Sequence, residues 1–265
     1  MPPTLKFLED LARQAGEIIC SGYNPRPGFR STLNIRYKGA IDLVTEIDLK
    51  AEKLILERIK SEFPGDSIVA EENGIVKEKD CCVWYVDPLD GTINYIHGLP
   101  IFCVSLGYAE NGEVMLGVVY DPVRDECFTA ERGKGAFLNG EPIQPSSTSN
   151  LNESLLVTGF SYDIREIEAN NINQFVKFST LARGVRRLGS AALDLCYVAN
   201  GRLDGYWELE LKSWDLAAGS LIAQEAGASV TDLSGGPDFL TPPHSILACT
   251  PAIQKEMLDV VRGIA

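Results

Sequence analysis

Trp84-Tyr85-Val86-Asp87-Pro88-Leu89-Asp90-Gly91-Thr92 is the stretch on which the reading of this chain turns. Val83–Val86 is an unbroken apolar and aromatic run of strand length, and it delivers Asp87 at its carboxyl end. Pro88 fixes the backbone for a sharp turn. Asp90 follows, and Gly91-Thr92 opens a short helix. In that geometry the two carboxylates face one point, where they repel unless one is protonated or a cation lies between them. Hard divalent ions such as Mg²⁺ take all-oxygen ligands. The Leu89 carbonyl adds an oxygen at the turn, and the amides of Gly91 and Thr92 point into the same space, where a helix start favours phosphate. A plain Asp-Pro turn with an Asx cap is the simpler reading of the same residues.

Other acids repeat the placement. Glu71-Glu72 ends the predicted strand Ser67–Ala70, Asp215 heads the small-residue helix of Trp214-Asp215-Leu216-Ala217-Ala218-Gly219, and Asp48 heads the helix that follows Thr45-Glu46-Ile47. Taken singly, Glu71 and Glu72 are solvated neighbours and Asp48 and Asp215 are helix caps. Taken together, they stand at strand ends and helix starts, where open α/β sheets bind ligands.

The rest of the chain alternates helix and strand. Helical spacing of Leu5, Leu8, Leu11, Ala12, Ala15, Ile18 and Ile19 predicts a helix over 4–20, read as part of the mature protein and not as a signal peptide. A second helix runs over 48–63 to the Pro64-Gly65 stop. Strands over 101–109, 114–120 and 126–131 form a meander, with turns at Asn111-Gly112 and Asp121-Pro122. The polar run from Pro145 to Asn150 divides the chain into halves, 1–145 and 146–265, of one compact unit. In the second half, strands are predicted at 154–159, 184–187, 204–209 and 229–232. Helices are predicted at 164–181, 190–199, 215–226 and 251–262. The alternation predicts a layered α/β fold.

Composition narrows the function. The chain has 265 residues, 45% hydrophobic and 23% charged, which excludes a disordered, collagen-like or coiled-coil chain. No apolar run reaches the length of a membrane span. With 24 basic against 37 acidic residues the net charge is −13, which argues against nucleic acid and anionic membrane as partners. Seven cysteines without a CxxC pair read as reduced core thiols of a reducing, cytoplasmic compartment. Only His97 and His244 are present, with no HExxH, so a histidine-based metal site is not expected. Gly133-Lys134-Gly135 lacks the spacing of a P-loop.

Asp87-Pro88-Leu89-Asp90-Gly91-Thr92-Ile93-Asn94-Tyr95 and Trp214-Asp215-Leu216-Ala217-Ala218-Gly219 resemble the paired motifs of the inositol monophosphatase family of Mg²⁺-dependent phosphomonoesterases. Asp42–Asp48, Ala70-Glu71-Glu72 and Gly189-Ser190-Ala191-Ala192 support the likeness, which covers nearly the whole chain in order. The resemblance implies an α-β-α-β-α sandwich and a site with two to three Mg²⁺ ions. Glu71, Asp87 and the Leu89 carbonyl would hold the first ion, Asp87, Asp90 and Asp215 the second, and Glu71 with solvent a weaker third. Thr92 and Asp48 would orient the attacking water, and the Gly91 and Thr92 amides would hold phosphate. Gly189, Ser190, Ala191 and Glu208 would read substrate hydroxyls. Lys38 resembles a lysine on a loop near the site, and Glu72 stands beside it. A homodimer and inhibition by Li⁺ are also implied.

The expected reaction is hydrolysis of a small phosphorylated polyol or sugar, inositol monophosphate first. Lys212 stands where many members of the family carry His, so fructose 1,6-bisphosphate is the alternative substrate. Arg183, Arg186 and Arg187 read as a strand edge or subunit contact, or as the seat of a second phosphate, and the loop at 161–175 lines the entrance. A non-catalytic, acidic protein-binding scaffold is the alternative of another class.

Overall fold

The computed structural model describes residues 2–26, 28–37, 43–76, 81–162, 164–166 and 170–263. Helix α1 (Leu5–Gly22) starts at Thr4, whose hydroxyl accepts from the Phe7 amide, and buries Leu8, Leu11, Ala12, Ala15 and Ile19. Strands β1 (Ile35–Tyr37) and β2 (Leu43–Thr45) pair antiparallel and lead into α2 (Glu46–Glu62). The first large sheet has eight strands. These are β3 (Ser67–Ala70), β4 (Gly74–Val76), β5 (Cys82–Asp90), β6 (Cys103–Glu110), β7 (Glu113–Asp121), β8 (Glu126–Glu131), β9 (Ala136–Leu138) and β10 (Glu141–Pro142), in the order β10-β9-β8-β7-β6-β5-β3-β4. The short helix α3 (Thr92–His97) interrupts it after β5.

The second sheet is built from β11 (Leu155–Thr158), β12 (Gly184–Arg186), β13 (Gly205–Leu209), β14 (Ser229–Thr231) and β15 (Ser245–Cys249), in the order β12-β11-β13-β15-β14. Its helices are α4 (Ile172–Leu181), α5 (Ala191–Ala199), α6 (Ser213–Ala226) and α7 (Gln254–Val261). Helices α1 and α2 cover one face of the first sheet. Helices α5 and α6 lie between the sheets, and α4 and α7 pack on the outer side of the second. The result is the expected α-β-α-β-α layering. No helix among the described residues is long and apolar enough to cross a membrane.

The small residues of α6 explain the middle layer. A Cβ on Gly107 would lie 2.9 Å from the Ala217 Cβ, one on Gly117 2.8 Å from the Ala218 carbonyl oxygen, and one on Gly219 2.9 Å from Leu195. The Ala217-Ala218-Gly219 stripe thus lets α6 press on the first sheet and on α5 at once, and so fixes where its N-terminal Asp215 sits.

Three expectations change. The helix expected over 164–181 begins only at Ile172, because Asn171 is buried and its side-chain amide donates to the Thr158 hydroxyl (2.6 Å) and the Gly159 carbonyl (2.7 Å). That anchorage sits at the N-cap of α4 and fixes where the helix starts. The sequence reading places no strand at Ser245–Cys249, yet β15 forms there with Ile246, Leu247, Ala248 and Cys249 all buried, as in a central strand covered on both faces. The cysteines divide: Cys103, Cys127, Cys196 and Cys249 are core residues, whereas Cys20 and Cys81 are exposed and Cys82 is half-buried, all seven as free thiols.

Candidate active site

Strand β5 carries the first part of the site. Its pairing with β6 runs regularly to Asp87 opposite Ser105, slips, and resumes at Asp90 opposite Cys103. The slip turns Asp87 inward, where its Oδ1 accepts the Leu89 amide at 3.0 Å. Gly91 then takes φ 95° at the N-cap of α3. A side chain there would be strained, and its Cβ would lie 2.8 Å from the Ile101 carbonyl oxygen. The Thr92 hydroxyl lies 2.9 Å from Asp48 Oδ1 and 3.0 Å from the Leu89 carbonyl. With one proton it donates to one of them at a time.

Asp48 caps its helix and also reaches Thr92. Its Oδ2 accepts the amide (3.0 Å) and hydroxyl of Thr45, closing a capping box at the start of α2, while Oδ1 faces Thr92. Asp48 is fully buried and meets the site through the Thr92 hydroxyl. Glu71 follows β3, its amide bonded to the Val86 carbonyl. The turn beyond it is tied to α2, because the buried Glu52 accepts the Glu72 amide at 2.9 Å and the Asn73 side-chain amide.

The second half closes the site. Asp90 Oδ2 accepts the Ser190 hydroxyl at 2.7 Å and the Ala192 amide at 2.8 Å, both at the start of α5. Ser190 is therefore a helix cap and a partner of Asp90 at once. Asp215, in the first turn of α6, accepts the Lys212 amide at 2.8 Å. Glu208, buried in β13, accepts the Tyr206 hydroxyl at 2.6 Å.

Most of the predicted site residues line one cavity of about 600 Å³. Its walls include Glu71, Asp87, Leu89, Asp90, Gly91, Thr92, Gly189, Ser190, Ala191, Glu208 and Asp215, so the structure brings together nearly all of the predicted site. Glu72 and Asp48 do not line it, and Lys38 lies outside the described residues. Tyr162 and Arg165 do line it, as expected for an entrance loop, and so does Lys212. Arg187 lines it too, which sets that residue apart from the other two arginines of its cluster. The sequence reading missed Gly159, Asp194 and Glu210 on the same walls, whereas Glu166 falls in the expected entrance loop. Gly159 had a signal in the strand-end glycine of Thr158-Gly159, but Asp194 sits in an otherwise apolar helix with no motif to mark it.

Burial drives the electrostatics. The Asp87 carboxyl is pushed well above the usual carboxylate range by burial first, then by Glu71, Asp90 and Asp215. Asp215 is raised by burial and by Asp90. Asp90 is raised by burial, against which the Ser190 and Ala192 donors work. Asp48 is raised by burial, with the bonds from Thr45 and Thr92 opposing. Among the described residues no three acid, histidine or cysteine side chains close on a single point as a finished ion cage would. They stand instead as separate walls whose charges repel. Their donor set, carboxylates and one peptide carbonyl, is all hard oxygen, and a divalent cation among them would relieve that repulsion, so the residues fit such an ion. Glu71, Asp87, the Leu89 carbonyl, Asp90 and Asp215 are the groups able to hold it.

Comparison with known proteins agrees in family and in fold. The model of the family described as "Inositol monophosphatase family" matches residues 1–264. The "Nus factor SuhB" of Pasteurella multocida is 42% identical over 266 residues, covering 99% of this chain and 97% of that protein. The structure of inositol monophosphatase from Anabaena (Nostoc) sp. PCC 7120 superposes with a TM-score of 0.85 at 39% identity, over 98% of this chain and 97% of that one. The extragenic suppressor protein suhB from Bartonella henselae superposes with a TM-score of 0.87 at 36% identity, over 96% of each chain.

Proposed function

The chain belongs to the inositol monophosphatase family, and from that premise we propose that it hydrolyses a small phosphomonoester, inositol monophosphate first among them, with Mg²⁺ held by Glu71, Asp87, the Leu89 carbonyl, Asp90 and Asp215. The observation that carries this reading is the set of acids Glu71, Asp87, Asp90 and Asp215, drawn from three separate elements onto one cavity, where Glu71 and Asp90 raise the proton affinity of both Asp87 and Asp215. Ions bound there would acidify a water and offset the charge of the phosphate oxygens; we take two to three of them per site.

The chain's own groups supply the rest. Thr92 Oγ1 accepts the attacking water and passes its proton toward Asp48 Oδ1, which the Thr45 bonds keep oriented. The Gly91 and Thr92 amides hold phosphate oxygens at the start of α3. Glu208, with backbone groups of Gly189 and Ala191, accepts and orients substrate hydroxyls. Asp90 couples the two sides, since its bonds to Ser190 and Ala192 tie the β5 turn to α5. Arg165, Arg187 and Lys212 on the same walls supply cations for a second anionic group, which favours fructose 1,6-bisphosphate as the alternative substrate. The reading also carries a homodimer, Li⁺ inhibition and a cytoplasmic setting, the last supported by seven free thiols.

Phosphate release measured across a panel of polyol and sugar phosphates, with and without Mg²⁺ and Li⁺, tests it. The expected result is Mg²⁺-dependent, Li⁺-inhibited hydrolysis led by inositol monophosphate; no release from any ester would overturn the reading, and a strong preference for the bisphosphate would replace the substrate. The name Nus factor on the bacterial relatives supports a second role, a transcription-related one borne by the chain as a binding partner. Asp90→Asn separates the two: hydrolysis is lost, and a role carried by the surface survives.

A further inference from the structure

Asp194 lies inside α5 among core residues, with Ala192, Leu193, Leu195 and Cys196 fully buried around it in sequence. It is itself 1% exposed, and its Oδ1 finds no hydrogen-bond donor among the described residues. The same residue lines the large cavity. Its charged neighbours are Glu208 and Asp90, which repel it, and Arg187, which attracts it. A buried oxygen without a donor is costly, and an apolar residue at this helix position would pack more favourably. A donor from outside the chain resolves the conflict.

The donor's chemistry follows from the walls. Arg187 already offsets part of the negative charge around Asp194, so the missing donor need not be a cation. Glu208 shares the wall and has one oxygen engaged by Tyr206. An uncharged, multiply hydroxylated ligand suits two neighbouring carboxyl groups under these conditions. We propose that Asp194 is a specificity-determining residue, whose carboxyl oxygen accepts a hydrogen bond from a hydroxyl of the phosphorylated substrate, so that the site favours polyol phosphates over phosphate esters without hydroxyls. The proposal rests on the phosphomonoesterase reading.

The test compares wild type, Asp194→Ala and Asp194→Asn on inositol monophosphate, its monodeoxy analogues and p-nitrophenyl phosphate. In Asp194→Ala the ratio of kcat/KM for the polyol to that for the aryl ester falls about tenfold, mainly through KM, and Asp194→Asn, which keeps an acceptor oxygen, falls less. One monodeoxy analogue loses a similar factor with wild type and little more with Asp194→Ala. The melting temperature of Asp194→Ala is no lower than that of wild type, which a merely structural role would not give. Equal losses on both esters, or an unchanged ratio in a folded variant, overturn the proposal while the phosphomonoesterase reading stands. If Asp194→Ala does not fold, the analogue series on wild type and Asp194→Asn decides. If wild type hydrolyses neither ester, the phosphomonoesterase reading falls, and calorimetric binding of free inositol decides Asp194: affinity equal in wild type and variant overturns it, and weaker binding to the variant supports it.

Discussion

On the side of the cavity formed by the first sheet, the acids stand where regular elements stop: Glu71 after β3, and Asp87 and Asp90 on the slipped turn of β5. On the side formed by the second sheet, the acids sit within regular elements, Glu208 in β13 and Asp194 in α5. The first wall is set by local chain geometry, through Pro88, Gly91 and the Asx-type bond within the turn. The second is set by contacts between distant residues. A Cβ on Gly159 would lie 2.1 Å from Glu208 Oε2, and Gly159 is itself held by Asn171, which also accepts from the Trp207 ring nitrogen. On the proposed function, one wall would gather charge for chemistry, and the other would shape recognition.

If the walls divide the labour this way, their variants should separate kcat from KM. Asp90→Asn strikes the first wall hardest. It removes a negative charge that would hold the divalent cation, whose stabilisation of the reacting phosphate is worth several kcal/mol, so activity falls about a thousandfold. The protein stays folded, because the Ser190 hydroxyl and Ala192 amide retain an acceptor oxygen. Wild-type rates from a folded Asp90→Asn protein would end the assignment. Thr92→Val comes next. It deletes the hydroxyl between Asp48 and the Leu89 carbonyl, and kcat falls about a hundredfold with KM little changed. Thr92→Ser restores most of the rate if the hydroxyl carries the effect.

Gly159→Ala tests the second wall. The new methyl group displaces the Glu208 carboxylate, so KM for a polyol phosphate rises about tenfold with a smaller change in kcat. A change confined to kcat would place Glu208 on the chemical side and break the comparison.

The same contrast explains what was legible in the sequence. Asp87, Asp90, Asp48 and Asp215 could be found because turn and cap signals lie within a few residues of each, and the helix layers followed from apolar spacing. Glu208 was reached only through resemblance, and Asp194 not at all. Its environment is assembled from β13, α5 and the β5 turn, so no local pattern encodes it. Asn171 was lost for the same reason: as a polar residue in a helical window it gives no hint that Thr158 and Trp207 pin it and delay α4. Long-range burial, unlike period and punctuation, leaves no mark on the neighbouring letters.

The smallest effect concerns protons. Burial raises the Glu208 carboxyl to about 7 from an ordinary 4.5, with the Tyr206 bond and Arg187 opposing and Asp90 adding to the rise. The folded chain therefore holds this proton where the unfolded chain has released it. The stability it contributes is present below pH 4.5 and is lost as pH rises toward 7. Glu208→Gln carries no such proton, so between pH 5 and 8 its melting temperature, measured without added divalent ions, declines less than that of wild type, by about 5 °C. The acids proposed to hold the metal respond differently to it. Asp87 and Asp215 are also raised by burial and mutual repulsion, so a cation competes with their protons, and Mg²⁺ should raise the wild-type melting temperature more at pH 8 than at pH 5. That increment should persist in Glu208→Gln. If Glu208→Gln instead abolishes the Mg²⁺ increment, the two walls form one electrostatic unit, and the division of labour between them fails.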